Sequence, residues 1–537
     1  MTEVHSLRPL ATILIGFVAI AVVVGGRHRP AVRDGAPIVA ALVTFGLVVS
    51  MVPDVMSGQN PTTNLGTLVA GVDLELSADP LGMLFALVAS GLWVVTSIYS
   101  VGYAREMGLD DRTRYTAALC LSVCSGLGVA FASNLLVLVV FYELTTVGTY
   151  PLVAHKGTEQ ARRIGYEYVV YVIAGGTLVV GGTVLVYGLA GTIGFESGGI
   201  PGLTDAAASN PTVATLALGS LLIGFAVKGA VMPLHAWLPK AMVAPTTVSG
   251  VLHAVVVVKS GVFGIARTVL EVFGPEATSD LGMATPLAVA AGVTILLGSV
   301  LALRQDDLKR RLAYSTIAHL SYVVLGIALL VPAGVVGGLV HIPAHAVAKL
   351  ALFFCVGALA IETDVTKVSE IAGVGRRMPL TMGTFAIGAC SLAGIPLFAG
   401  FASKWYLLVG GGGVHPLVPA LLVVSGALNV AYFWPIVYGA FFESPSKSDP
   451  KPLIDGPLGG CDGSERVSDG GHASAELRNR QRWERVAPNG VESRATVLLP
   501  LVALACLTVV LGVWPDRLAV LELAVRVAET SVGVIVA

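Results

Sequence analysis

The chain is 537 residues long, 55% hydrophobic and only 12% charged, with a net charge of −1, against about 25% charged residues in an ordinary soluble domain. That balance excludes a soluble enzyme and points to a bilayer as solvent, and the lack of a basic or acidic excess excludes a nucleic-acid surface. Six cysteines (Cys120, Cys124, Cys355, Cys390, Cys461, Cys506) form no CxxC pair, and no Rossmann fingerprint, P-loop or haem ligand pair is present, so redox and nucleotide chemistry within this chain are excluded and neither cofactor nor metal is expected.

A span needs about 20 mainly apolar residues. Such runs predict an all-α polytopic membrane protein with about fourteen transmembrane helices, at residues 8–26, 37–53, 81–103, 115–132, 134–153, 166–190, 212–239, 245–270, 285–304, 311–331, 336–361, 377–409, 415–442 and 496–514. The first run is read as a retained helix: many spans follow it, and no small-residue cleavage site precedes Arg27. Lys and Arg concentrate in alternate connections, around Arg27 to Arg33, Arg105 to Arg114, Lys156 to Arg163, Lys240, Lys309 to Arg311 and Lys367 to Arg377. The connections between are bare: 54–80, 191–211 and 271–286 hold neither residue type. Positive charge marks the cytoplasmic side, so both termini are expected outside a prokaryotic inner membrane. Residues 443–494 form a polar cytoplasmic loop with a short helix expected at 473–487. That loop is read either as solvated or as docking a neighbouring subunit through Arg478, Arg480, Arg482, Trp483 and Arg485. The last segment, 516–529, has apolar residues at helical spacing and is expected to lie along the outer surface.

An ionisable residue inside a span is expensive and is a functional hypothesis by default. Glu143 stands nine residues beyond Asn134, near the midplane, and Lys228, Lys259, Lys349 and Lys404 also fall inside apolar runs. His341, His345 and Lys349 share one helix face at i, i+4 and i+8. A lysine on that face would repel a metal ion, so the set reads as a chain of protonatable groups. Pro233 and Pro239 interrupt the seventh span, and Pro396, between Gly394 and Gly400, interrupts the twelfth. Paired broken helices point to a transport path in repeat-built proteins. The same 85-residue interval separates Glu143 from Lys228 and His319 from Lys404, which predicts two inverted five-helix repeats. The organisation is then helices 1–3 (1–114), a first repeat of helices 4–8 (115–270), a second repeat of helices 9–13 (285–442), the loop (443–494), and helix 14 with an outward tail (495–537).

The run from Lys228 to Lys259, KGAVMPLHAWLPKAMVAPTTVSGVLHAVVVVK, resembles the antiporter-like subunits shared by respiratory complex I, membrane-bound hydrogenases and Mrp-type cation/proton antiporters, including the D-type member of the Mrp set. YELTTVGTYPLV around Glu143, LKRRLAYSTIAHLSY around His319, HAVAKLALFF around Lys349 and GIPLFAGFASKW around Lys404 carry the same resemblance, over roughly residues 80–442. Two positions depart from the family pattern: Thr247 stands where a second proline is usual and Met242 where a histidine is common. The resemblance implies a half-channel in each repeat joined by a midplane line of charge. Glu143 would pair with Lys228, Lys259 would be the middle relay beside His253, and His319, His345 and Lys349 would lead to Lys404, with His235 and His341 as accessory positions. It implies no redox site here, and partners in the form of other membrane subunits, H⁺ and a monovalent cation such as Na⁺. Two readings stay open: a subunit of a multisubunit Na⁺/H⁺ antiporter, and a proton-pumping subunit of a redox-driven complex such as complex I or a hydrogenase. A solute carrier or scaffold explains the line of lysines less well.

Overall fold

A computed structural model describes residues 2–69, 71–444 and 492–533. The polar loop with its expected helix and arginine cluster therefore lies almost wholly outside the described residues. The chain opens with β1 (Thr2–His5), α1 (Arg8–Gly25), α2 (Pro30–Met56), β2 (Gln59–Val69) and β3 (Val72–Ser77). β1 pairs parallel with β2, and β2 antiparallel with β3. This small sheet is a finding beyond the expected bare connection. It fastens the N-terminus to the end of α2, where Thr2 donates to the Gly58 carbonyl at 3.1 Å.

The helical body follows with α3 (Pro80–Glu106), α4 (Arg112–Phe131), α5 (Leu135–Val153), α6 (Glu159–Ala190), the short α7 (Leu203–Ser209), α8 (Pro211–Gly229), the short α9 (Trp237–Lys240), α10 (Thr246–Ala254) and α11 (Val257–Arg267). After the short α12 (Gly274–Asp280) come α13 (Ala284–Leu303), α14 (Leu308–Ala328), α15 (Pro332–Glu362), α16 (Pro379–Ala393), α17 (Ala399–Val414) and α18 (Leu417–Phe442). Beyond the loop lie α19 (Ala495–Val513) and α20 (Val520–Ser531), the latter meeting the expectation of a terminal helix.

Among the described residues twelve helical segments are long and apolar enough to cross a membrane, counting 246–272 as one. The two remaining expected spans fall on helices outside that set. The 21-residue α14 begins Leu-Lys-Arg-Arg and carries His319, yet almost every residue beyond its first turn is buried; a helix surrounded by protein needs no apolar exterior. The broken pair α16 and α17 is too short in each half alone. The parity is visible in the contacts between connections. Arg105 bonds Asp34 at 2.9 Å, Arg494 bonds Glu106 at 2.8 Å, Lys240 pairs with Glu167 and Asp307 bridges Lys367, which gathers the basic connections on one face. The bare connections meet on the other, where Leu76 bridges Ala132, Asn134 bridges Gly194 and Glu196 bonds Glu271. Arg526 of α20 donates to the Val55 carbonyl at 3.3 Å, so α20 lies against the end of α2 on that second face.

The expected interruptions are present. α8 stops at Gly229, where Ala230 turns left-handed (φ 54°), and the chain re-enters a helix at Trp237, whose indole N–H donates to the Val227 carbonyl at 2.9 Å. α16 stops at Gly394 (φ 88°), a conformation that glycine alone adopts without cost. A third break was not expected: the run 246–272 unwinds at Val255–Val256, with no proline or glycine at the break. Val257 and Val258 resume the helix, so packing and not residue type sets the break, and it frees the His253 carbonyl. Pro245 caps α10 and the turn forms with Thr247 in place of a proline. Continuous through Pro343, α15 is almost wholly enclosed and packs against α3, α10, α14, α16, α17, α19 and α20.

Candidate functional site

Every intramembrane lysine singled out in the sequence is buried, and each finds main-chain carbonyls. A buried ammonium with three hydrogens must spend them on acceptors. On α8, Lys228 donates to the Tyr142 carbonyl and to Thr145 Oγ1 (3.1 Å), both on α5, with Nζ 3.4 Å from the centre of the Tyr142 ring. On α11, Lys259 donates to the His253 carbonyl at 3.1 Å, the very acceptor released by the break at Val255. Lys349 on α15 donates to Ser315 Oγ (2.8 Å) and the Leu312 carbonyl (3.3 Å) of α14. Lys404 on α17 donates to the Leu392 (2.7 Å) and Ala393 (3.1 Å) carbonyls at the broken end of α16. Two of the three helix breaks thus place unpaired carbonyls under a lysine.

Glu143 lies one residue beyond the carbonyl that Lys228 grips, but no ion pair within 4.0 Å joins the two. Its carboxylate rests on Gly176 of α6, where an added Cβ would overlap Oε1, and Oε1 has no hydrogen-bond partner. The pair expected from the resemblance is therefore adjacent but open.

The histidines form the longest connection. Lys259 Nζ lies 3.2 Å from His345 Nδ1. The His345 ring centre lies 5.7 Å from that of His319 and 6.1 Å from that of His341. His319 Nδ1 meets His341 Nε2 at 3.1 Å, and His341 Nδ1 meets Ser403 Oγ, next to Lys404, at 2.8 Å. Tyr322 stands 5.2 Å from both of those rings, with Lys404 Nζ 5.1 Å above it. His319 Nε2, His345 Nε2 and both ring nitrogens of His253 are buried without a partner in the protein, the condition in which internal water or a mobile proton attaches.

The structure thus brings together Lys259, His345, His319, His341 and Lys404, with His341 more central than an accessory place implies. His253 contributes its carbonyl to Lys259 while its ring lies tilted, 4.9 Å from that of Phe353. His235 lies apart, in the turn after α8, 6.3 Å from Tyr314. No hydrogen bond links Lys228 to Lys259; between them α8 and α11 touch through glycines, and a Cβ on Gly261 would overlap the Gly229 nitrogen. Lys349 lies on a side branch through Ser315.

Sequence reasoning missed Arg267, fully buried near the end of α11. It bonds Asp79 at 2.8 Å and Glu271, and packs over Phe195 and Phe263 at 4.8 and 5.0 Å. The four-residue spacing of Arg267 and Glu271 was the only local signal; Asp79, far away in sequence, had none.

A family model described as NADH:quinone oxidoreductase/Mrp antiporter, transmembrane, matches residues 132–429. The NADH-quinone oxidoreductase subunit N of Desulforudis audaxviator is 31% identical over 458 residues, covering 83% of each chain. A probable K⁺/H⁺ antiporter protein of Rhizobium meliloti, its A/B subunit, is 30% identical over 425 residues, 78% of this chain but 42% of that longer one, so this chain spans less than half of that relative. The solved Mrp complex of Dietzia sp. DQ12-45-1b contains a chain of the same fold, with a TM-score of 0.80, 23% identity and 98% coverage of both. With more than half of its length matched by that family model, the chain belongs to the membrane family of NADH:quinone oxidoreductase and Mrp antiporter subunits.

Proposed function

We propose that the chain is a proton-translocating subunit of a multisubunit monovalent cation/proton antiporter. In this reading it sits in a prokaryotic cell membrane with the basic connections toward the cytoplasm and both termini outward. The observation that carries it is the buried sequence of contacts from Lys259 through His345, His319 and His341 to Ser403 beside Lys404. Imidazole accepts at one nitrogen and releases from the other near neutral pH, which suits H⁺; sodium would want a cage of oxygens. Glu143 and Lys228 form the input. When the carboxylate approaches, it favours the charged lysine, and when it withdraws the proton is released toward Lys259 across the glycine contact of α8 and α11. Two inverted repeats are supported by matched packing: α4 lies on α5 as α13 lies on α14, and α6 lies on α8 as α15 lies on α17. Lys228 precedes its break and Lys404 follows its own, so the repeats differ in detail.

The test is proton flux in vesicles containing the assembled complex, with and without Na⁺ or K⁺. Cation-dependent flux supports the antiporter; flux that requires a redox substrate overturns it. A second reading, a pumping subunit of a redox-driven complex, is favoured by the equal coverage of the subunit N relative. Copurification of flavin or iron–sulfur subunits would select it.

A further inference from the structure

We propose that the Tyr432 hydroxyl is a two-position switch that passes the charge state of Lys349 to the helix break holding Lys404, with Ser315 and Asn429 as its two contacts. The inference rests on the reading of Lys349 and Lys404 as carriers, and concerns groups that this reading does not use. Ser315 Oγ on α14 lies 2.8 Å from Lys349 Nζ and 3.0 Å from the Tyr432 hydroxyl of α18. That hydroxyl is also 2.5 Å from Asn429 Oδ1, one turn earlier on α18. Asn429 Nδ2 donates at 3.2 Å to the Leu392 carbonyl, which also accepts from Lys404 Nζ at 2.7 Å. Ser315, Asn429, Tyr432 and Lys349 are all fully buried, so no outside solvent competes for these positions.

A phenol carries one hydrogen, and here it faces two acceptors. Charged Lys349 has no lone pair and donates to Ser315 Oγ. Ser315 then turns its own hydrogen toward Tyr432, and Tyr432 gives its hydrogen to Asn429 Oδ1. Neutral Lys349 exposes a lone pair that takes the Ser315 hydrogen. Tyr432 then donates back to Ser315, and Asn429 Oδ1 loses its donor. Because bonds in such a chain polarise one another, the first arrangement strengthens the hold of Asn429 on the Leu392 carbonyl, and the second leaves that carbonyl to Lys404. Discharging Lys349 therefore favours a charged Lys404, the order a forward transfer needs. An amide passes on no proton, so this branch carries a signal and the histidines carry the proton.

The other charged or titratable groups facing this chain are Arg311, whose Nη1 donates to the Tyr432 carbonyl at 2.9 Å, with His319 and Tyr322 on α14, His341 and His345 on α15, Lys404 on α17, and His253 and Lys259 from α10 and α11. Tyr432→Phe leaves all of them in place together with the ring that packs 4.6 Å from Phe433.

The experiment measures proton transport against pH in vesicles carrying the assembled complex. Tyr432→Phe is expected to assemble as wild type, to transport roughly three- to tenfold more slowly, and to displace the pH of half-maximal transport. Ser315→Ala should produce the same displacement and the double variant no more than either alone, since both cut one chain. A wild-type pH profile in Tyr432→Phe, a loss of rate without displacement, or additive effects would overturn the switch. Lys404→Ala runs alongside: normal transport there overturns the carrier reading itself, whereas its loss together with an unshifted Tyr432→Phe overturns only this inference.

Discussion

The two halves of the body treat a buried lysine in different ways. In the first, Lys228 stands on one α5 carbonyl, one threonine hydroxyl and the face of Tyr142, with the Glu143 carboxylate near and unbound. In the second, Lys349 and Lys404 sit among carbonyls, Ser315, Tyr322, His319 and His341, and no carboxylate among the described residues binds either lysine. Coulomb energy between unit charges is steep in distance where the surroundings are poorly polarisable, so a small swing of Glu143 changes what Lys228 experiences by a large factor. Neutral donors and acceptors act over one bond length and respond by reorienting. On the proposed reading, the first half then acts as an electrostatic trigger and the second as a hydrogen-bonded conductor.

The largest expected effects remove the trigger. Glu143→Ala or Lys228→Ala should abolish ion-coupled transport while the protein still inserts and assembles, as followed by flux assays beside native gels of the complex; wild-type flux in either would break the comparison at its root. Next comes the conductor. His341→Phe keeps a ring in the α15 slot but cuts the path from His319 to Ser403, and transport should fall by about 10²- to 10⁴-fold, the usual span for losing a proton-transfer group. If the fall is less than twofold, the proton does not pass between those rings. Smaller again is the effect of Gly176→Ala. Its Cβ would overlap Glu143 Oε1, so the carboxylate must move, while alanine in place of a helical glycine alters stability by only about 1 kcal/mol. Flux should change severalfold with the thermal transition of the complex nearly unmoved. An unchanged flux would mean that the resting place of the carboxylate is immaterial.

The sequence showed those groups unevenly, for physical reasons. Helices announce themselves through bulk hydrophobicity and breaks through proline and glycine, so the spans and the interruptions after Gly229 and Gly394 were legible. The break at Val255–Val256 was not, because two valines also sit well in a helix that packing supports; tertiary contacts decide. Lysines in apolar runs stood out by cost, and all four are buried, while Glu143 is half-buried. Their partners were hidden. Ser315, Asn429 and Tyr432 are ordinary residues in sequence, and only the meeting of α14 with α18 makes them a chain. The pairing of β1 with β2 was hidden too, since strands 57 residues apart, from Thr2 to Gln59, share no local pattern.

The smallest effect lies at the edge of the conductor. On returning from the loop, the chain places Glu492 against the first turn of α16, where Oε1 accepts from the Thr381 amide at 2.9 Å, and Ser493 Oγ donates to Glu362 at 2.8 Å. Burial, reinforced by the Glu362 charge, pushes the Glu492 carboxyl up to about 8, against the amides that favour its anion. An acid whose value in the folded state is raised contributes stability below its unfolded value near 4.5, and loses it as pH rises through about 8. Amide exchange in the first turn of α16 should therefore quicken between about pH 5 and 8 beyond its intrinsic base catalysis, and follow the intrinsic dependence alone above that, while Glu492→Gln, neutral throughout, should show the intrinsic dependence alone. Because α16 ends at the carbonyls under Lys404, any accompanying change in flux would show that the second half is also tuned from the far end of α16. Equal exchange in the two proteins would confine tuning to the path itself.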